Sequence, residues 1–367
     1  MKAVLLADNL QKKIAFVNHA VSQRSQLPIL LNLLLSFENG FITVSATDLE
    51  IGIISKIPAK IEEEGEITVP AKVFTELVQS LGKEKITLEL EGSTLVLKGE
   101  KIKTTFPTTP ATEFPRIVGE MGEKKANIKR QDLERDMGRV VFAASLDMGR
   151  PALSGVFIKR EGGSFALVAT DGYRLSLKKD FLSSSEKSDS ILVPSRVIRE
   201  VLSINEEGDD VDVYVSEKNN QVVFEAGGTM VAGRLIDQEF PEYQKLIPLD
   251  FGTKTTFDRV ELERAVKQGS VFAREASNIV RLAIKADKIV ISANAPSVGE
   301  NVVEVEAKTD GEENEIAFNA RYLLDLLGAV EDDVMTFEMN GPLTPGVFKS
   351  EKDKNFLHLI MPIRVQT

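Results

Sequence analysis

One pattern recurs along this chain at a period of about 123 residues, and so long a repeat points to tandem copies of a whole domain. Asn9–Arg24, Asp132–Asp147 and Glu261–Glu275 each open with a polar or acidic residue followed by leucine. Apolar residues then return at mixed three- and four-residue spacing, the mark of an amphipathic helix. A second anchor falls at Val69–Leu81, Val193–Asn205 and Phe318–Val330, with a basic residue at Lys72, Arg196 and Arg321, spaced by 124 and 125. In its first two copies proline follows valine where a helix would begin, a place that tolerates a missing N–H.

Between these helices lie runs rich in β-branched residues, Phe41–Ser45, Phe165–Ala169 and Lys288–Ser292, which read as strands. The first two run into the same tripeptide, Ala46-Thr47-Asp48 and Ala169-Thr170-Asp171; the third has Ala293-Asn294 there. Each copy closes on an apolar–proline step, at Phe114-Pro115, Phe240-Pro241 and Met361-Pro362. The implied fold class is α+β: three similar domains, each with two helices packed on antiparallel sheets. The expected boundaries are residues 1–120, 121–248 and 249–367.

Composition narrows the function. With 43% hydrophobic and 28% charged residues the chain reads as globular, neither disordered nor membrane-spanning. The longest apolar stretch, Leu27–Phe37, is interrupted by Pro28, Asn32 and Ser36. The first residues carry no leader pattern, so a cytoplasmic location is expected. The absence of cysteine removes thiolate nucleophiles and thiolate metal sites, and the two histidines, His19 and His358, are too few for a multi-histidine centre. An enzyme would be left with Asp48 and Asp171 as paired carboxylates, in different domains and without a histidine or phosphate loop to assist. No catalytic residue, metal or cofactor is therefore expected. The bland reading of both aspartates is a turn in which the carboxylate caps nearby N–H groups.

The net charge of −11 argues against nucleic acid until it is resolved by element. The six proposed helices carry +4 and the remainder −15. Attraction to phosphate depends on the local surface within roughly 8–10 Å at ordinary salt, so a mildly basic helical face on an acidic body can still meet DNA.

The stretches Leu27-Pro28-Ile29-Leu30, Ala46-Thr47-Asp48-Leu49-Glu50, Ala169 to Leu175, Phe240-Pro241-Glu242-Tyr243 and Met361-Pro362-Ile363-Arg364, in this order, resemble the bacterial DNA polymerase III beta subunits, the replicative sliding clamps. The resemblance covers essentially the whole chain. It implies a head-to-tail homodimer closed into a six-domain ring whose helices surround duplex DNA without sequence preference. It also implies recruitment of the polymerase III catalytic subunit, the clamp loader, and other clamp-binding polymerases and repair proteins. The location would be cytoplasmic, at the nucleoid. Candidate DNA contacts under that resemblance are Lys12, Lys13, Arg24, Lys72, Arg150 and Arg196, of which Arg24 matches a DNA-contacting position of the family, whereas Arg199 and Arg321 read as ordinary solvated bases. The implied partner-peptide pocket is Leu153, Thr170, Gly172, Tyr173, Arg174, Leu175, Pro241, Lys245, Leu246, Leu343, Pro345, Leu359, Met361, Pro362, Ile363 and Arg364. The implied dimer contact sets Phe106 against Val271 and Phe272. The chain departs from the family pattern at Pro151-Ala152, where tyrosines can stand, and at Tyr173 and Lys245, where histidine and arginine occur. Its tail, Val365-Gln366-Thr367, also runs past the usual end. A repeat-built peptide-binding scaffold that does not encircle DNA is the alternative.

Overall fold

A computed structural model describes residues 1–22, 24–147, 149–182, 190–204, 210–275 and 277–364. Its described part contains six α-helices: α1 Ala7–Val17, α2 Ala71–Gln79, α3 Arg130–Val141, α4 Ser195–Leu202, α5 Arg259–Ala273 and α6 Ala320–Ala329. These are the two helices expected in each repeat. The prolines Pro70 and Pro194 end the strands before α2 and α4 and do not occupy the first helical turn.

The chain divides into two compact units, Met1–Asp132 with Arg199–Leu235, and Leu133–Ile198 with Ile236–Thr367. The division falls inside the second repeat, at α3 and α4, because the sheets do not stop at repeat boundaries. In the first unit Ile51–Pro58 pairs with Thr229–Arg234, Ile53 opposite Val231. That pair sits inside one nine-stranded antiparallel sheet that starts at Thr109–Pro110 and ends at Glu123–Lys129. A separate five-stranded sheet runs from Lys60–Glu63 to Lys103–Pro107. In the second unit Arg174–Lys178 pairs with Phe356–Ile360 within a twelve-stranded order. One long strand there, Gly299–Gly311, pairs with Thr253–Asp258 through its last residues and with Lys288–Ala295 through its first.

Within each unit the helices lie on the sheets through one apolar stripe. Leu10, Ile14 and Val17 of α1 are buried, as are Phe74 and Val78 of α2. In the second unit Leu262, Ala265 and Val266 of α5 join Leu323, Leu326 and Leu327 of α6 in a core completed by Phe318, Phe337 and Phe348. A polar contact recurs with the repeat: a side chain near the start of the first helix donates to carbonyls at the end of the second. Gln11 donates to Val78 O (2.9 Å) and Leu81 O (2.8 Å), Arg130 to Ile204 O, and Arg259 to Leu327 O (2.9 Å). Terminal carbonyls lack partners within their own helix, so each contact both satisfies them and fixes the helix pair.

Candidate functional site

The sequence places a Thr-Asp pair at the end of the strand Ser164–Thr170, and local hydrogen bonds from that pair shape the turn into the next strand. The Thr170 hydroxyl accepts from Gly172 N (3.0 Å) and donates to Arg174 O (2.6 Å). Asp171 Oδ1 accepts from Tyr173 N (2.8 Å) and Arg174 N (3.0 Å). Gly172 turns at φ +93°, a region open to glycine, and Tyr173 is thrown outward with 57% of its surface exposed. Asp48 accepts two N–H groups in the same way, from Glu50 and Ile51. Both aspartates are thus engaged in turns, and among the described residues no group of three or more acidic or histidine side chains could hold a metal ion.

Arg174 points back into the unit and is saturated. It donates to Asp171 (3.1 Å), Asp325 (2.7 Å) and Phe142 O (2.9 Å), and its guanidinium lies 4.6 Å from the Tyr322 ring centroid. Buried among these partners, it is a fixed wall and not a free cation for a ligand. Behind it, His358 is fully buried with Nδ1 2.6 Å from Ser176 Oγ. Burial, reinforced by the Arg174 charge, holds this imidazole well below its usual titration range.

The residues matched to a peptide pocket separate into layers. Leu175 and Leu359 face each other across paired strands and are core, packed with Val347 and Tyr243; Thr170 is buried as well. Met361 packs against that core and is tied through its N–H to Tyr173 O (2.8 Å). Leu153, Pro345, Pro362 and Ile363 are half-buried, the last donating to Ala317 O (2.8 Å). Gly172, Tyr173, Pro241, Lys245, Leu246, Leu343 and Arg364 are exposed, Lys245 pairing with Glu242. The apolar surface on offer is therefore Tyr173, Leu246 and Leu343, while Leu175, Leu359, Thr170 and Arg174 support it from beneath the surface. A cavity of about 310 Å³ opens beside the turn, lined by Tyr173, Arg174 and Arg150 together with Leu146, Asn278, Asn319, Arg321 and Tyr322. Sequence reading missed Leu146, Asn278, Asn319 and Tyr322 as lining, and the buried Arg174 ion pair to Asp325 is the signal that ties α6 to the turn. The tail 365–367 lies outside the described residues.

The candidate DNA-contacting cations differ in availability. Lys12, Arg24, Lys72, Arg150 and Arg196 are exposed. Lys12 pairs with Asp8 (3.1 Å) and Arg150 with Asp147 (3.1 Å). Lys13 is half-buried, its ammonium 3.5 Å from the Thr229 hydroxyl on the sheet, so it is directed inward. Among residues matched to a dimer contact, Val271 is 58% exposed and Phe272 is partly buried against the α5–α6 core. Phe106 is 2% exposed and packs edge-on against Phe74 (5.1 Å), so its side chain belongs to the first unit's core.

Comparison with known proteins gives a consistent result. Residues 1–118, 127–242 and 244–364 match, in order, the N-terminal, central and C-terminal domains of the DNA polymerase III beta subunit. The chain is 32% identical to the beta sliding clamp of Caulobacter vibrioides over the full length of both. It also resembles the crystal structure of the Bacillus subtilis DNA polymerase sliding clamp, with a TM-score of 0.92, 28% identity and full coverage of both chains. A sliding clamp from Bartonella birtlesii, solved bound to griselimycin, has a TM-score of 0.92 at 26% identity, again with full coverage.

Proposed function

The chain belongs to the DNA polymerase III beta subunit family, the bacterial sliding clamps, and on that basis we propose how it performs the task. It is a DNA sliding clamp, a processivity factor without catalytic activity of its own. Two chains associate head to tail into a ring of six domains, bounded at residues 1–120, 121–248 and 249–367, that encloses duplex DNA. The observation that carries this reading is a pair of open strand edges. Among the described residues, Lys103–Pro107 ends its five-stranded sheet, and the Gly299–Glu306 part of its strand has a neighbour on one side alone. Each edge presents unpaired backbone groups suited to a second chain. Lys101 and Lys103 are exposed at the first edge and Glu300, Glu304 and Glu306 at the second, so their charges are complementary. Closure between unlike surfaces of two copies yields a ring. Val271 and Phe272 would flank that contact, with Phe106 supporting it from the core.

Retention on DNA is then topological. Lys12, Arg24, Lys72, Arg150 and Arg196 supply weak phosphate contacts, with Lys13 joining after a side-chain turn; these hold the ring's position without reading sequence. Polymerase, clamp-loader and repair-protein peptides dock on the apolar surface of Tyr173, Leu246 and Leu343, with the half-buried Met361 at its base, between Pro241 and Arg364. An apolar surface with a few fixed polar groups suits short peptides. The working location is the cytoplasm, at the nucleoid; among the described residues no helix is long and apolar enough to cross a membrane. Particle images of the purified protein test the assembly: toroids of two chains support it, and single chains at micromolar concentration contradict it.

A further inference from the structure

We propose that the first repeat carries a second peptide-docking groove, built around Leu49 and separate from the surface at Met361. A groove of about 650 Å³ lies in residues 27–115, walled by Leu27, Leu31 and Leu49, with Pro115 beside them and Lys72 and Glu113 also lining it. Leu27, Leu31 and Leu49 are 51%, 40% and 55% exposed, an unusual display of three leucines around one depression. Leu49 also stands at φ +80°; among the described residues the other non-glycine positions at positive φ are asparagine, aspartate or serine. The turn compels this: Leu49 N donates to the Thr47 hydroxyl (3.0 Å), and Glu50 N and Ile51 N donate to Asp48 (3.0 Å each). The second repeat builds the same turn with glycine, so the backbone does not call for leucine. A strained side chain kept exposed on a groove wall points to a role outside folding.

The occupant is a short extended peptide with apolar side chains at its centre and one acidic and one basic residue. The leucines take the apolar centre, Lys72 takes the acid and Glu113 the base; neither Lys72 nor Glu113 has an ion-pair partner among the described residues. This groove stands whether or not the Met361 surface takes peptides.

The test is fluorescence anisotropy of the full chain with a fluorescein-labelled hexapeptide amide, Arg-Leu-Ser-Ile-Leu-Glu. Saturable binding is expected. Leu49→Gly should weaken it about tenfold, roughly what losing one buried apolar contact gives, without lowering Tm. Glu113→Lys should weaken it too, and a probe with glutamate in place of arginine should regain binding to that variant. No saturable binding to the parent chain, affinity indifferent to both substitutions, or loss caused by Met361→Ala instead would each overturn the proposal.

Discussion

Leu49 and Gly172 occupy the same position of the same turn in successive repeats, at φ +80° and +93°. In both, a threonine hydroxyl accepts from that residue's N–H and an aspartate accepts from the next two. The strand after the turn is met alike: Arg234 N donates to Glu50 O (3.1 Å), and Met361 N to Tyr173 O (2.8 Å). One backbone device thus serves two repeats with different side chains on display.

A left-handed conformation costs an ordinary L-residue roughly 1–2 kcal/mol, and glycine gives back about 0.5–1 through its freer unfolded chain. Gly172→Ala should therefore lower stability by about 1 kcal/mol, and Leu49→Gly should leave it unchanged or raise it by up to about 1 kcal/mol. Urea unfolding of the two variants decides this; a large loss in Leu49→Gly would mean that its side chain supports the fold.

Arg174 holds Asp171, Asp325 and the Phe142 carbonyl from a buried position. Removing one partner of such a network leaves the others desolvated and unpaired, which costs about 3 kcal/mol. Arg174→Ala should show that loss by chemical denaturation, and Arg174→Lys should recover little of it because an ammonium cannot reproduce the planar fork. A loss under about 1 kcal/mol would contradict the network's role.

His358 is neutral in the folded chain because burial, and then the charge of Arg174, oppose its protonation. In the unfolded chain it takes up a proton near pH 6.5, so below that pH the unfolded state binds more protons and stability falls as pH falls. The slope contributed by this one group is up to about 1.4 kcal/mol per pH unit, and above roughly pH 7.5 it vanishes. His358→Gln should flatten the stability profile between about pH 6.5 and 5; parallel profiles for variant and parent would contradict the assignment.

The repeat was legible because helix and strand anchors depend on local pattern. Lys72, Arg196 and Arg321 fall on α2, α4 and α6 as their spacing requires. The first helices were legible at their starts but not at their ends. Apolar periodicity continues to Arg24 and Asp147, yet α1 stops at Val17 and α3 at Val141. Ser22 N donates to Leu30 O (3.3 Å) and Ser145 N to Leu153 O (2.8 Å), so a returning segment takes the backbone away from the helix in both. α5 reaches Ala273, near the expected end. The candidate site divides likewise: the Thr170–Arg174 turn is written in adjacent residues, whereas Tyr322 and Asn278 reach the cavity only through long-range packing.

Val271 is exposed on α5 and contributes little to its own core. Val271→Asp should leave thermal stability within about 0.5 kcal/mol while placing an unpaired charge in the chain–chain contact. Sedimentation should show dimers converted to monomers; an unchanged dimer would remove Val271 from the interface.

The central claim is enclosure, and the most direct measurement compares retention of the protein on nicked circular DNA with retention on the same DNA linearised, after loading by a clamp loader with ATP. A closed ring held by topology stays on the circle and slides off the free ends, with only modest sensitivity to salt on the circle. Equal release from circular and linear DNA would contradict enclosure.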